Sequence, residues 1–378
     1  MQGLSGPSPR RILMTADAVG GVWTYAVGLA AGLAERGVET VLAVLGPQPG
    51  TEQRAAAASV PGLVLQSLPL PLDWLASSPG EITHAGEAIA DLAAHGMGID
   101  LVQLNTPALA AAARFRVPVV AVSHSCLATW WRAVRGGPMP DEFRWRSSLA
   151  TRGLAAADAL VAPTAAFARA TAVAHGLSRN PATVHNGRHP AAVRTANAAA
   201  PFAFTAGRLW DIGKDAATLD RAAARGRFPV LAAGPTEGPD GSRVALPHLE
   251  LLGSLPARDV SEWLARRPVF VSMARYEPFG LAVLEAAQAG CALVLSDTPG
   301  FRELWDGAAA FVAPGDDEAL ARAIARLLED AEHRAALGSA ALARSRRYGV
   351  AAMTSGMLAV YAAALSRTLA MSRREMQA

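Results

Sequence analysis

The 378-residue sequence predicts an α/β protein of two doubly wound, Rossmann-like domains. Three features point there. Short apolar runs alternate with longer Ala- and Leu-rich stretches, each run ends in turn chemistry, and the alternation pauses once, at a polar, Pro-bracketed stretch over 188–201, before starting again. Buried strands alternating with helices form a parallel sheet covered on both faces.

Taken in order, residues 11–15 read as a strand, followed by the Gly20-Gly21 turn and a helix reaching 36. Strands at 38–45 and 63–68, a helix over 81–95, a strand at 100–104, a helix around 108–114 and strands at 117–122, 159–162 and 183–185 complete the first series. The second has strands at 202–206, 228–233, 248–252, 269–273 and 292–296, with a short segment at Phe311. Its helices are expected at 214–224, 257–266, 280–289, 318–330 and 331–346. The expected divisions are one Rossmann-like domain over 1–190, a second over 191–350, and a C-terminal helical segment over 351–378. Ligands of doubly wound sheets sit at the carboxyl ends of the strands. Two facing domains therefore predict one cleft between them.

Composition closes off several classes. At 51% hydrophobic residues, disorder is excluded, and 35 cations against 32 anions, spread along the chain, leave no clustered excess for nucleic acid despite a pI of about 9.2. Cys126 and Cys291 give no disulfide framework, so a reducing cytoplasm is expected. Residues 1–11 lack the apolar core of a secretory signal, and the longest uncharged run, 18–34, falls short of the roughly 20 residues a spanning helix needs. No transmembrane helix is expected. Lysine occurs once, at Lys214; the other 34 basic residues are Arg.

The most informative segment runs from Arg275 through Tyr276-Glu277-Pro278-Phe279-Gly280-Leu281 to Glu285 and Gly290. It follows a strand and opens a helix, with Pro278 where a helix start tolerates the missing N–H. The free N–H groups of Gly280 and Leu281 would suit an anion or sugar hydroxyls. If the first turn is helical, Glu277 and Glu285 lie about 12 Å apart along the axis, well beyond the about 5 Å of a retaining-glycosidase pair. That separation suits two acceptors gripping opposite ends of an elongated polar ligand. Taken alone, Glu277 would also suit the helix dipole, His124 a core histidine, and Cys126 a core thiol with only His124 near it in sequence.

The Glu-x7-Glu element closely resembles that of retaining glycosyltransferases of family 4, which have the GT-B fold. Gly20-Gly21 resembles the family's Gly-rich loop, Ser123-His124-Ser125 its donor-site His, and His185-Asn186-Gly187 its Asn-Gly turn. Ala206-Gly207-Arg208-Leu209 with Lys214 is similar to its diphosphate clamp, and Asp297 to Glu303 to its Gly-containing turn before a Glu. The resemblance spans roughly 11–346. It implies transfer of a sugar from a nucleoside diphosphate sugar to an acceptor hydroxyl by front-face attack, the leaving phosphate taking the acceptor's proton. Glu277 would contact sugar hydroxyls and Glu285 the ribose, with Leu252, Phe279, Gly280 and Leu281 completing the donor site. Arg208 and Lys214 would neutralise the diphosphate, so no metal and no cofactor is expected. His124 would orient the sugar or phosphate. The C-terminal helix over 351–369, carrying Tyr361, should cross back to the N-terminal domain.

Two departures stand out. Lys214 comes six residues after Arg208 where the family usually has five, an extra residue that Gly213 could absorb, and Gln103 and Asn105 stand where the family has His-x-His. The stretch from Trp130, Trp131, Arg132 and Arg135 to Arg146 reads in three ways. It is a loop packing its Trp rings, an acceptor pocket in which Trp stacks on the acceptor and Arg meets an anion, or a surface docking peripherally on the inner face of a membrane. A GT-B sugar-nucleotide epimerase and a catalytically silent sugar-nucleotide-binding protein are the rival functions.

Overall fold

The computed structural model describes residues 7–192, 199–239 and 241–375. They fall into two compact units, one of Met1–Trp131, Gly137–Gly187 and Val350–Ala378, the other of Arg132–Gly136 and Arg188–Gly349.

In the first unit, strands β1 (Arg11–Asp17), β2 (Glu39–Leu45), β3 (Leu63–Ser67), β4 (Leu101–Leu104), β5 (Val119–Val122), β6 (Ala159–Ala162) and β7 (Ala182–Thr183) pair in parallel, in the order β3-β2-β1-β4-β5-β6-β7. Helices α1 (Gly21–Ala34), α2 (Thr51–Ala58), α3 (Pro79–Ala94), α4 (Leu127–Val134), α5 (Asp141–Ala156) and α6 (Ala165–His175) accompany it. Alternate residues of β1 serve opposite faces, as the two-residue period requires: Ile12 and Met14 enter one core, Leu13 the other.

The second unit repeats the plan with β8 (Ala203–Ala206), β9 (Val230–Ala233), β10 (Glu250–Gly253), β11 (Val269–Ser272), β12 (Ala292–Ser296) and β13 (Ala310–Val312), ordered β10-β9-β8-β11-β12-β13. Its helices are α7 (Ala216–Arg225), α8 (Ala257–Ala265), α9 (Leu281–Gln288), α10 (Pro299–Trp305), α11 (Asp317–Glu329) and α12 (Ala331–Ser345). Strand order reverses beside β1 in one sheet and beside β8 in the other. Those switch points open crevices at the carboxyl ends of β1 and β4, and of β8 and β11.

Helix α13 (Val350–Glu375) belongs to the first unit and buries Val350, Met353, Met357, Tyr361 and Ala364 in the core that α1 also covers. Gly32 of α1 permits the contact, since a Cβ there would stand 2.1 Å from Thr354 Oγ1. By length and apolar content 331–370 is the one helical stretch among the described residues able to cross a membrane, but it is interrupted at 346–349 and α13 sets one face into this core.

Several expectations need correction. The helix around 108–114 is a 3-10 turn, Pro107–Ala110, pressed between α3 and α5; Cβ atoms at Gly86 and Gly153 would meet its carbonyl oxygens at 2.2 and 1.8 Å. The segment for which a Trp-packing loop was one of three readings forms α4 and α5 instead of a loop, its helical faces burying Thr129, Leu149 and Leu154. The turn expected from Asp297 to Glu303 is mostly α10, started by Pro299. Helices α2 and α6 escaped the sequence reading; in α6, Thr164 accepts the Phe167 N–H as its cap. The expected linker begins with Arg188 donating its N–H to Tyr348 O, while 193–198 lie outside the described residues, as do 1–6.

Candidate functional site

The second unit's site starts from backbone. Gly207 donates to Ala233 O at 2.9 Å and Gly234 to Gly253 O at 2.7 Å, and a Cβ on Gly234 would stand 1.7 Å from Gly207 O. Only glycine fits there, which leaves the ends of β8, β9 and β10 bare for close approach by a ligand. From Gly207 the chain enters a tight loop in which Asp211 Oδ1 accepts the Gly213 N–H at 2.8 Å and Lys214 N donates to Asp211 O at 2.8 Å. The left-handed residue of this loop is Asp215 (φ 51°), so the turn into α7 is taken there and α7 begins at Ala216, not at Lys214.

Lys214 Nζ lies 2.5 Å from Glu277 Oε2, both side chains mostly shielded from solvent. Arg208 is half exposed, with Asp211 Oδ2 at 3.4 Å. Glu277 and Pro278 are outside α9, whose N-cap is Gly280 (φ 89°), so the helical spacing inferred for Glu277 and Glu285 does not apply. Glycines make room for the Glu277 segment: a Cβ at Gly280 would come within 3.2 Å of Glu277 Cγ, and one at Gly300 within 3.2 Å of Glu277 O.

Glu285, on α9, meets Arg188 NH1 at 2.6 Å, while Gln288 Nε2 donates to Arg188 O at 2.9 Å. Burial raises the Glu285 pKa, and the Arg188 charge offsets only part of that rise. Phe279 was expected to line the donor site. The residue is instead 3% exposed, its ring edge-on to Tyr348 at 5.8 Å in the core of the second unit. Leu252 and Leu281 are half-buried.

In the first unit, Gly20 caps α1 without any side-chain bond, and a Cβ on it would meet nothing within 4 Å. Its φ of −151° suits any residue. The open space beside it, not the backbone, is what the glycine provides at the helix start it shares with Gly21. Asp17 Oδ1 holds the loop by accepting from Val19 N and Gly20 N at 2.9 and 3.2 Å.

His124 follows β5. Its Nε2 is 3.0 Å from Asn105 Oδ1, an oxygen that also accepts from Gln103 Nε2 at 2.9 Å, and Asn105 Nδ2 donates to Thr15 O at 2.7 Å. An amide oxygen cannot donate, so this set places a proton on His124 Nε2 and leaves Nδ1 as an acceptor. Tyr361 of α13 closes the chain by donating to Gln103 Oε1. The Tyr25 ring packs edge-on to the imidazole at 4.4 Å, and burial lowers the His124 pKa to about 4. His124 is therefore neutral at ordinary pH. The two polar residues standing in place of His-x-His are what orient it.

Cys126 has a partner invisible in sequence: His175 Nε2 at 3.3 Å, with His175 Nδ1 2.7 Å from Thr151 Oγ1. Burial raises the thiol's pKa and lowers the imidazole's, so Cys126 stays a neutral thiol. Half-buried Asp73 was also missed; its pKa rises to about 6, mainly through burial and partly through Asp17, against the pull of Arg146. Trp130 and Trp131 are half-buried, Trp131 5.9 Å from the Phe143 ring of α5, while Arg132 and Arg135 are exposed. Among the described residues no three His, Cys, Asp or Glu side chains are grouped to hold a metal ion.

Residues 19–191 match the family model for Glycosyltransferase Family 4, and 243–344 that for Glycosyl transferases group 1. The chain is 35% identical over 119 residues to a phosphatidyl-myo-inositol mannosyltransferase of Mycolicibacterium smegmatis, covering 30% of each chain. It is 32% identical over 168 residues to a D-inositol 3-phosphate glycosyltransferase of Streptomyces griseus, covering 40% of this chain and 35% of that one. The match thus spans about a third of these curated relatives' length. Among solved structures, a sucrose-phosphate synthase from Thermosynechococcus elongatus superposes with a TM-score of 0.72 at 19% identity, over 96% of this chain and 100% of the other. HepE from Anabaena, in complex with UDP and glucose, gives 0.70 at 19% identity, over 92% and 98%. With the GT-B architecture and both family patterns present in order, the chain belongs to glycosyltransferase family 4.

Proposed function

We propose that this glycosyltransferase moves a sugar from a nucleoside diphosphate sugar to an acceptor hydroxyl with retention of anomeric configuration. The observation carrying this reading is the meeting of Lys214 with Glu277 at the carboxyl ends of β8 and β11, beside half-exposed Arg208 and the bare glycine backbone. In the reaction the bond from anomeric carbon to phosphate oxygen breaks, its electron pair leaving with the diphosphate. The acceptor oxygen bonds that carbon on the same face, and its proton passes to the departing phosphate. Arg208 and Lys214 stabilise the charge growing on the leaving group, which gives these cations the task a metal would otherwise perform. Glu277 accepts from sugar hydroxyls, Glu285 from the ribose, and His124 offers Nδ1 to a hydroxyl of the transferred sugar.

The UDP and glucose held by HepE, and the UDP-2-fluoro glucose in a related structure from E. coli, support the donor class. The names of the two inositol-directed relatives put cyclitol phosphates into the acceptor panel, with Trp130, Trp131, Arg132 and Arg135 as candidate contacts. Incubation with UDP- and GDP-sugars, following free nucleoside diphosphate, tests the reading. Slow donor hydrolysis, accelerated by an acceptor, is expected; interconverted sugar would mean an epimerase, and binding without turnover a silent binding protein. Glu277→Ala should lower turnover by orders of magnitude while nucleotide affinity holds, whereas collapse of affinity would overturn the division of roles between Glu277 and Glu285.

A further inference from the structure

Lys214 and Glu277 stand on separate loops. One joins β8 to α7 and the other joins β11 to α9, and eight residues without regular structure separate Ser272 from Leu281. Their own ion pair cannot keep them in register during the reaction. On the proposed reading, the ammonium turns to the diphosphate and the carboxylate to sugar hydroxyls once a donor is bound, which gives up the 2.5 Å contact. Another connection has to hold the two loops together at that moment.

A second bridge lies next to the first. Asp215, immediately after Lys214, accepts from Arg275 Nε at 2.9 Å, and Arg275 is two residues before Glu277. Arg275 N and Tyr276 N both donate to Gly213 O, at 2.9 and 3.3 Å. Asp215 is 7% exposed and has φ 51°, a conformation that costs a non-glycine residue strain, although Asp bears it better than most. It also occupies the N-cap of α7, where Asp is among the favoured residues, yet its side chain makes no capping bond. The carboxylate forgoes the cap and accepts a strained backbone while pairing with Arg275. Stabilising α7 alone would have kept the cap.

We propose that Asp215 and Arg275 are positioning residues that hold Lys214 and Glu277 in the mutual geometry the donor requires. This rests on the proposed reading of Lys214 and Glu277 as donor contacts. Arg275→Gln and Asp215→Asn, the latter nearly isosteric and tolerant of positive φ, separate positioning from mere stability when kcat, donor KM and the unfolding midpoint are measured together. Each variant should lose at least tenfold in kcat with little change in midpoint. The double variant should be no more than twofold worse than the weaker single one, and Arg275→Lys should recover part of the loss. Wild-type kcat in both single variants, or a loss confined to the midpoint and KM, overturns the proposal, and the donor reading stands if Lys214→Ala and Glu277→Ala are inactive in the same assay. Wild-type turnover in those two alanine variants overturns the donor reading and the proposal with it.

Discussion

Tyr361→Phe removes a single hydroxyl from the middle of α13, and its consequence follows from the buried chain that ends at His124. Tyr361 is fully buried and donates to Gln103 Oε1, itself on a fully buried residue. Without that donor the Gln103 carbonyl has no partner, a loss of about 1 to 3 kcal/mol. For a unit in the 150–250-residue range each kcal/mol moves the midpoint by about 2 to 4 °C, so the expected fall is about 2 to 12 °C. Tyr25→Phe is the internal control. Tyr25 only receives a 3.4 Å contact from Gln103 Nε2, which keeps its 2.9 Å bond to Asn105 Oδ1, so the smaller effect belongs there. Calorimetry of both variants, with kcat from nucleoside diphosphate release, makes the comparison. Turnover should fall in Tyr361→Phe because Gln103 fixes the Asn105 oxygen that holds His124. A Tyr361→Phe protein with wild-type midpoint and turnover, or one less affected than Tyr25→Phe, would refute this reasoning.

Lys214→Arg places a longer, planar cation where Nζ sits 2.5 Å from Glu277 in a mostly shielded site. Overpacking of about 1 to 3 kcal/mol, if expressed in the transition state, corresponds to roughly 5- to 150-fold in kcat; wild-type kinetics at saturating donor would defeat the claim. Stability against pH should show two opposing slopes. The His124 pKa falls from 6.5 to about 4 on folding, so the unfolded chain binds the proton more tightly, and about 3 kcal/mol of stability is lost as pH drops through that window. The Asp73 pKa rises from 3.8 to about 6, so the folded chain binds the proton more tightly, and about 3 kcal/mol is lost as pH rises through its window. The two largely cancel between pH 4 and 6. Asp73→Asn should expose the His124 slope in denaturant titrations at pH 4, 5, 6 and 7, and curves parallel to wild type would sink this account.

Much of this protein is written locally in its sequence. Parallel strands buried on both faces have to be continuous short apolar runs, so 11–17, 119–122 and 292–296 announce themselves, and the Glu-x7-Glu element marks the donor-side loop because its chemistry is packed into nine consecutive residues. Less legible were elements whose character comes from their neighbours. The 3-10 turn at Pro107–Ala110 lies so close to α3 and α5 that only glycine fits at 86 and 153, and the stretch forming α4 and α5 left a loop among its readings because its Trp and Arg residues hide a helical face.

The site divides in the same way. The resemblance of the ordered motifs to those of family 4 nominated Arg208, Lys214, Glu277, Glu285 and His124, because a motif is a matter of residue types and their spacing along one dimension. Their partners are not visible there: Glu277 meets Lys214 across 63 residues, Glu285 meets Arg188 across 97, Arg275 meets Asp215 across 60, and Tyr361 reaches Gln103 across 258. Proximity of that kind is created only when the sheets assemble. The protonation state of His124 and the buried exposure of Phe279 likewise depend on what surrounds them, and the tertiary structure alone supplies those surroundings.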